Sequence, residues 1–286
     1  NTDVVGRPWT GTSNRNVITQ AYSWGQTQVD YKELSDYMRP DGSQRLWNVT
    51  SWNNLKAKYI DNPYWSSYTS YSDEKRDRVY GNAGLEWNIA KGLKATAKVH
   101  GDVYTYSVED RIAVYSRTTS MYSEKVQRFQ EFNYEAMLHY GTALKDFTLN
   151  AFIGTNLMHQ RRNINNGETQ GGLIIPEYYN LSNATSVLTT DKTYRKEIRS
   201  VLGSASLGWK SLLFADATFR NDWSSTLPSG ENSYFYPSFS GSFIFTELEP
   251  VKAISWLNFG KVRLGWAQVG NDTDPYSLSR TYEYKN

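Results

Sequence analysis

Apolar and polar side chains alternate with period two in several segments from about residue 76 onwards. The clearest segment is residues 93–103, where every second residue is Leu, Ala, Ala, Val, Gly and Val. The residues between them are Lys, Thr, Lys, His and Asp, so the opposite face is polar. This alternation predicts a β-strand with one face in an apolar environment and the other in a polar one.

The same alternation recurs in pairs of segments that are joined by turn residues. It predicts four β-hairpins and the start of a further strand near Tyr276, which makes about nine strands. The paired segments are residues 79–89 with 93–103, 132–140 with 147–153, 201–209 with 213–219, and 235–245 with 262–266.

The connections between these strands alternate in length. Short turns are expected near Ala90, Thr142 and Lys210, and a somewhat longer one near Pro250. Long polar segments are expected at residues 104–125, 158–196 and 221–233, with a shorter one at 270–274. Short turns on one side and long loops on the other are typical of outer-membrane barrels, whose long loops lie outside the cell. A soluble β-sandwich does not sort its connections in this way.

The composition of the two faces supports a membrane barrel. The apolar faces carry small residues at mid-strand and Trp87, Trp209 and Trp266 towards the ends, as expected at a membrane interface. The polar faces carry ionisable residues that would be costly inside a small dry barrel. The predicted fold class is therefore all-β, part of a large antiparallel transmembrane β-barrel with long extracellular loops. A soluble β-sheet binding protein is a distant alternative.

Residues 1–75 lack the alternation and are expected to form an extracellular loop region with a short helix, between barrel strands. Loose helical spacing is seen within residues 16–38, and residues 61–65 (DNPYW) indicate a turn. Residues 76–286 carry the barrel strands and loops. Since an odd strand count does not suit a single-chain bacterial barrel, we expect a piece of a larger barrel whose plug and remaining strands lie outside this sequence.

The amino-acid composition narrows the class of protein further. Aromatic residues make up 15% of the chain, with 22 Tyr and 10 Trp, which argues against disorder despite a mean hydropathy of −0.65. The net charge of +2 gives no case for nucleic-acid binding. The absence of cysteine excludes disulfides and thiolate metal sites. No apolar run approaches the length of a membrane-spanning helix.

Six segments, in order and spacing, resemble the SusC/RagA-type TonB-dependent outer-membrane transporters. No single segment is specific, but the resemblance covers nearly the whole chain and a middle portion of such a transporter. The segments are residues 28–34 (QVDYKEL), 61–65 (DNPYW), 76–82 (RDRVYGN), 220–225 (RNDWSS), 236–240 (YPSFS) and 262–272 (VRLGWAQVGND).

The resemblance implies a 22-stranded multi-pass barrel in a Gram-negative outer membrane, plugged by an N-terminal domain. It implies active import of oligosaccharides (glycans) or peptides for nutrient uptake, energised through TonB by a segment that this chain does not show. The partners that it implies are a SusD-like surface lipoprotein as lid, the outer-membrane lipid and a second copy in a homodimer. A passive outer-membrane porin or a structural barrel protein is the alternative.

The sequence offers no catalytic residues, and the chain is not expected to be an enzyme. His100, His139 and His159 are far apart, and no G-x-S-x-G elbow is present. A barrel enzyme would need a clustered catalytic arrangement, which the sequence does not indicate. No cofactor is expected, apart from Ca²⁺ as a weak candidate at Asp272 and Asp274; an ordinary turn is the preferred interpretation there.

Substrate binding has a better case, because the expected outer loops are rich in aromatic residues that can stack on sugars or hold peptide side chains. The candidate substrate contacts are Tyr64, Trp65, Asp222 and Trp223. The competing interpretation is that such residues pack the loops together or lie at the membrane interface, and it is preferred for any single residue.

Overall fold

The computed structural model describes residues 2–8 and 17–278, with side chains from residue 17 onwards except 19 and 20. The chain is built mainly of β-strands, so the all-β prediction is confirmed. The strands are β1 (Thr2–Pro8), β2 (Val49–Ser51), β3 (Asn54–Ala57), β4 (Tyr71–Ala90), β5 (Leu93–Ile112), β6 (Met121–Leu144), β7 (Phe147–Gln170), β8 (Ser186–Trp209), β9 (Leu213–Ser224), β10 (Ser233–Phe243) and β11 (Val262–Ala267). The helices are α1 (Val17–Trp24), α2 (Pro63–Thr69) and α3 (Glu249–Lys252), with 3₁₀ turns at Glu33–Ser35 and Phe245–Glu247.

Nine of these strands form a single sheet in the order β1-β4-β5-β6-β7-β8-β9-β10-β11, and β2 and β3 form a separate hairpin. The pairings of β1 with β4 and of β8, β9, β10 and β11 in succession are antiparallel. Among the described residues β1 and β11 are the two edges, and they do not pair with each other.

The eight strands predicted between residues 79 and 266 are present, but five of them are longer than expected. Strands β4 to β8 contain 20 to 24 residues, about twice the number that a membrane strand needs. The predictions of loops over residues 104–125 and 158–196 are therefore wrong for most of their length. Tyr276 lies in a turn, and residues 279–286, where the further strand was expected, are outside the described part.

The short connections are tight because their backbone can adopt positive φ. Gly92 has φ +79°, and Lys210 and Ser211 have φ +49° and +57°. Positive φ is the conformation of the primed turns, whose twist matches that of an antiparallel hairpin. The turns expected near Ala90 and Lys210 are thus confirmed.

Residues 61–65 do not form a turn as predicted, because α2 begins at Pro63. Asn62 is its N-cap, and its side chain accepts a hydrogen bond from the backbone N–H of Tyr64 at 2.8 Å. Proline at the first helical position and asparagine at the cap are also favoured in turns, so one local sequence serves both structures.

The chain divides into two compact units. The first comprises residues 1–78, 104–129 and 162–193, and the second comprises residues 79–103, 130–161 and 194–286. Every buried apolar side chain among the described residues belongs to the first unit: Leu34, Ala57, Ile60, Trp65, Ile112, Ala113, Tyr122 and Leu173. The first unit therefore has a small core of its own, whereas the apolar side chains of the second unit lie on its surface.

Candidate functional site

One face of the sheet in the second unit is apolar and exposed. Leu85 is 80% exposed, Leu264 76% and Trp266 57%. In β8, β9 and β10 the strand register places the apolar residues opposite one another, for example Leu207 with Ala215. Exposed apolar residues are ordinary when scattered, but a face continuous over many strands indicates an apolar surrounding.

The opposite face of the same strands is polar and internally hydrogen-bonded. The carboxylate of Asp216 accepts hydrogen bonds from Ser206 Oγ at 2.5 Å and Ser240 Oγ at 3.1 Å. One step along the strands, the hydroxyls of Thr218 and Ser238 are 2.5 Å apart. The sheet of the second unit therefore separates an apolar surrounding from a polar one.

A charged group continues this polar face towards the end of β9. Arg220 donates from Nε to Asp222 Oδ1 at 2.6 Å and from its terminal nitrogen to Ser200 Oγ at 2.9 Å. Ser200 is only 1% exposed. The guanidinium is thus held in a fixed orientation, and the planar fork of arginine suits recognition of carboxylates.

In the first unit, aromatic rings and a guanidinium gather where β4, β5 and β6 run side by side. The Arg76 guanidinium carbon lies 4.9 Å from the ring centre of Tyr104 and 5.3 Å from that of Tyr106. The hydroxyl of Tyr106 donates to Glu74 Oε2 at 2.7 Å, and Tyr104 stacks on Phe129 with ring centres 4.8 Å apart. We call this group the aromatic–arginine cluster (Glu74, Arg76, Tyr104, Tyr106, Phe129).

Period-two alternation along β4 and β5 places the aromatic–arginine cluster on the polar face, since Glu74 and Arg76 alternate with the odd-numbered residues that include Val79. Rings and a guanidinium side by side can stack on planar or ring-shaped groups and attract a negative charge. Sequence reasoning missed these residues because they lie just beyond the apolar alternation. The signal that could have revealed them is the spacing of Tyr104 and Tyr106, which continues the polar face of residues 94–102.

The loops of the first unit are tied together around Asn62, which is fully buried. Its Nδ2 donates to the carbonyl oxygens of Leu34 and Arg45, both at 2.9 Å. Its backbone N–H donates to Gln44 Oε1 at 2.9 Å. A single side chain therefore joins three segments that are distant in sequence.

Asp61 extends this junction to a further loop. Its Oδ1 accepts from Gln44 Nε2 and from the backbone N–H of Arg117, both at 2.6 Å. Burial raises the pKa of Asp61 above its ordinary value, against the opposing effect of the Gln44 hydrogen bond. The junction residues (Gln44, Asp61 and Asn62) form what we call the loop platform.

The four candidate substrate contacts fall into two places. Trp65 is 2% exposed, and its Nε1 donates to Ser116 Oγ at 2.9 Å, so it packs inside the first unit. Tyr64 stacks on Tyr68 with ring centres 6.4 Å apart.

Asp222 and Trp223 are neighbours in β9 of the second unit, and alternation places them on opposite faces. Asp222 lies on the polar face with Arg220. Trp223 is 40% exposed and pairs with Arg199 on the face that carries Phe219. The structure therefore does not gather these two residues at one surface, and their part in substrate binding stays a prediction.

Asp272, one of the two calcium candidates, is already paired with a cation. The ammonium of Lys196 lies 2.7 Å from both of its carboxylate oxygens, and Ser224 Oγ donates to Oδ2 at 2.8 Å. Burial raises the pKa of Asp272, but the hydrogen bonds from Lys196 and Ser224 outweigh it and the pKa lies below its ordinary value. Asp274 is exposed. Over residues 17–278 no group of three or more metal-binding side chains is found, and calcium binding stays a prediction.

The histidines are separate, as the sequence indicated. His139 lies 3.2 Å from Thr96 Oγ1, and His159 Nδ1 lies 3.2 Å from Glu197 Oε2. No described helix is both long and apolar enough to cross a membrane.

No family model matches the sequence, and no curated protein matches it significantly. Solved structures do match. A structure of the RagAB peptide transporter superposes with a TM-score of 0.71 at 16% identity, over 86% of this chain and 28% of the matched chain.

Two further structures, of the RagAB peptide importer in the "open-open" and "closed-closed" states, give TM-scores of 0.66 and 0.65 at 16% and 15% identity. They cover 80% and 78% of this chain and 26% of each matched chain. This chain thus spans about a quarter of the length of its structural neighbours. The resemblance seen in the six sequence segments is confirmed by the fold, which is that of part of a RagAB transporter chain.

Proposed function

We propose that this chain forms part of the wall of an outer-membrane transporter that imports peptides or oligosaccharides into a Gram-negative cell. In this proposal TonB supplies the energy, a SusD-like surface lipoprotein closes the outer opening, and the complex dimerises. The apolar face of the sheet contacts lipid, and the polar face lines the lumen.

The observation that carries the proposal is the sidedness of the sheet in the second unit. One face exposes leucine and tryptophan over many strands, and the other holds Asp216 and Arg220 in hydrogen-bonded groups. A wall between lipid and water requires this arrangement, because each alternate residue faces a different solvent. The shared fold with RagAB chains supports a transporter over a structural role.

The aromatic–arginine cluster is the substrate contact that the geometry favours within this chain. It presents two tyrosine rings and a guanidinium on the polar face. Such a surface can hold the carboxylate and aromatic groups of a peptide or the ring of a sugar. The structural neighbours described as peptide transporters favour peptides as the first substrate class to test.

The experiment uses the full-length transporter in cells that lack the native gene. Cells are incubated with a defined mixture of short peptides, and separately with a defined mixture of oligosaccharides, and depletion from the medium is measured by mass spectrometry. We expect depletion of one mixture, loss of that depletion when a protonophore collapses the proton gradient, and co-purification of a surface lipoprotein. Depletion that persists with the protonophore would assign a passive pore.

Substitution within the aromatic–arginine cluster tests the contact itself. Arg76→Gln and Tyr104→Ala should each reduce uptake several-fold while surface abundance stays unchanged, since aromatic and arginine contacts dominate binding energies. Lys56→Gln, in the β2–β3 hairpin, is the control for a change of charge. Equal uptake by both variants and the control would remove the cluster from the proposal.

A further inference from the structure

The apolar face of the second unit ends at a group of polar and basic side chains on three adjacent strands. Going away from the short turns, Phe132 on β6 is followed on the same face by Gln130, Leu157 on β7 by His159, and Val201 on β8 by Arg199. Alternation assigns these residues to one face. The change from apolar to polar thus occurs at one level on all three strands, and the residue at that level on β8 is the basic Arg199.

The depth of this level can be worked out along β8. From Trp209 to Arg199 the strand advances ten residues, which at about 3.3 Å each and a tilt of about 40° is a rise of roughly 25 Å. An outer-membrane barrel has an apolar band of about the same height. If the sheet spans a membrane as proposed above, Arg199 lies at the headgroup level on the side of the long loops.

The basic side chains at this level outnumber the acidic ones. Glu197 pairs with Arg199 Nε at 2.7 Å and with His159 Nδ1 at 3.2 Å. Arg195 is exposed on the same face. The guanidinium groups of Arg195 and Arg199 therefore lie beside one carboxylate of this face, that of Glu197.

Arg195 and Glu197 line a recess rather than a flat surface, and Arg199 lies beside it, paired with Glu197. The recess has a volume of about 410 Å³ and is lined by Phe132, His159, Arg161, Arg195 and Glu197, among others. Phe132 forms its lower, apolar edge. A recess with guanidinium groups at the top and an aromatic ring below matches the junction between a charged headgroup and an acyl chain.

Below the recess the apolar face is hollowed by small residues. Two adjoining grooves of about 680 Å³ each share Leu85, Ala97, Ala136 and Thr155 in their lining. Leu157, which lines one of them, precedes His159 by one step on the same face. An acyl chain extending from the recess would lie in these grooves.

We infer that this recess binds the phosphate group of an anionic membrane lipid, which then stays on the transporter as a bound component. The guanidinium groups of Arg195 and Arg199 supply charge-assisted hydrogen bonds to phosphate oxygens. Glu197 orients Arg199 by holding its Nε, which leaves the terminal nitrogens for the ligand. This inference depends on the proposed membrane location but not on what the transporter imports.

The experiment is native mass spectrometry of the full-length transporter, released from nanodiscs of phosphatidylcholine containing a minor fraction of phosphatidylglycerol. We expect phosphatidylglycerol to be retained in excess over its share of the bilayer. Arg195→Gln with Arg199→Gln should reduce that retention by on the order of 25-fold, at about five-fold for each cationic side chain removed. Lys261→Gln with Arg263→Gln removes the same charge from the region of β11 and should leave retention unchanged.

The outcomes separate this inference from the proposed function. Insertion into nanodiscs without lipid preference, or equal loss in both double variants, would overturn the lipid site and leave the transporter proposal standing. Suppression of lipid retention by millimolar glycerol phosphate would assign the recess to soluble phosphates and also overturn it. A protein that stays dispersed without detergent would overturn the proposed function itself.

Discussion

Asn62→Ala is the substitution for which the structure gives the sharpest expectation. The side chain of Asn62 is fully buried, caps α2 and donates to the carbonyl oxygens of Leu34 and Arg45. Alanine removes all three hydrogen bonds and leaves the two carbonyl oxygens without their donor. It adds no bulk, so no clash contributes to the loss.

The expected cost follows from these three losses. Loss of the N-cap costs about 1 kcal/mol, and each carbonyl left unsatisfied costs about 1–3 kcal/mol. The local free energy of opening of the loop platform should therefore fall by about 3–7 kcal/mol. Asn62→Ser keeps a capping oxygen but not the donors, and should recover about 1 kcal/mol of the loss.

Hydrogen exchange with mass spectrometry on the full-length protein in detergent measures the free energy of local opening. A loss of about 3 kcal/mol corresponds to roughly 150-fold faster exchange in the limit of rapid reclosing. Peptides covering α2 and the residues next to Gln44 should show it, whereas peptides from β8 should exchange as in the unchanged protein. Asn53→Ala, an exposed change in the same unit, is the matched control.

If Asn62→Ala exchanged no faster than Asn53→Ala around α2, Asn62 would not hold the loops together. If Asn62→Ser were as damaging as Asn62→Ala, the cap would contribute nothing to stability. Faster exchange spread evenly into β8 would indicate general unfolding and not a local junction.

Three further outcomes are expected. Because burial raises the pKa of Asp61 above its unfolded value near 3.8, its proton is bound more tightly in the folded loop platform. Platform protection should therefore decrease as the pH rises from about 4 through the folded pKa, and Asp61→Asn should flatten this profile in hydrogen exchange. Lys196→Met should destabilise the end of β8 by about 2 kcal/mol, because Asp272 is left without its cation. The double variant Lys196→Met/Asp272→Leu should recover part of this stability, and a double-mutant cycle measures the coupling between the two residues. Under the proposed membrane location, Leu85→Lys should make folding into lipid vesicles less favourable by about 2–4 kcal/mol, whereas Asn82→Lys on the polar face should change it little.

The sequence predicted the strands of the second unit well because one face is apolar and the other polar, so the chemistry of the side chains alternates along each strand. Residues 93–103 could be assigned to a strand for that reason. Farther along β5, Thr105 and Tyr106 differ little in polarity, and the alternation disappears although the strand continues to Ile112. The sequence pattern did not predict the extensions of β6, β7 and β8 for the same reason.

Other features depend on contacts between distant segments. β1 joins the sheet by pairing with β4, from Thr2 opposite Arg76 to Pro8 opposite Tyr71. No local sequence pattern predicts which strand β1 pairs with. The candidate site was partly missed in the same way: Trp65 looked like a free loop aromatic, but its burial depends on a hydrogen bond to Ser116, 51 residues away.

The segments that carry the family resemblance explain why the fold is recognisable and the substrate is not. Asp61 and Asn62 join loops, and Asp272 binds Lys196 and Ser224, so the side chains of these residues hold separate segments of the chain together. Residues of this kind specify a framework whatever passes through it. Under the proposed function, substrate preference would then depend on polar-face residues that do not hold loops together. In this chain the first to examine is Arg76, because its guanidinium is exposed and its aromatic neighbours can be replaced without breaking the loop platform.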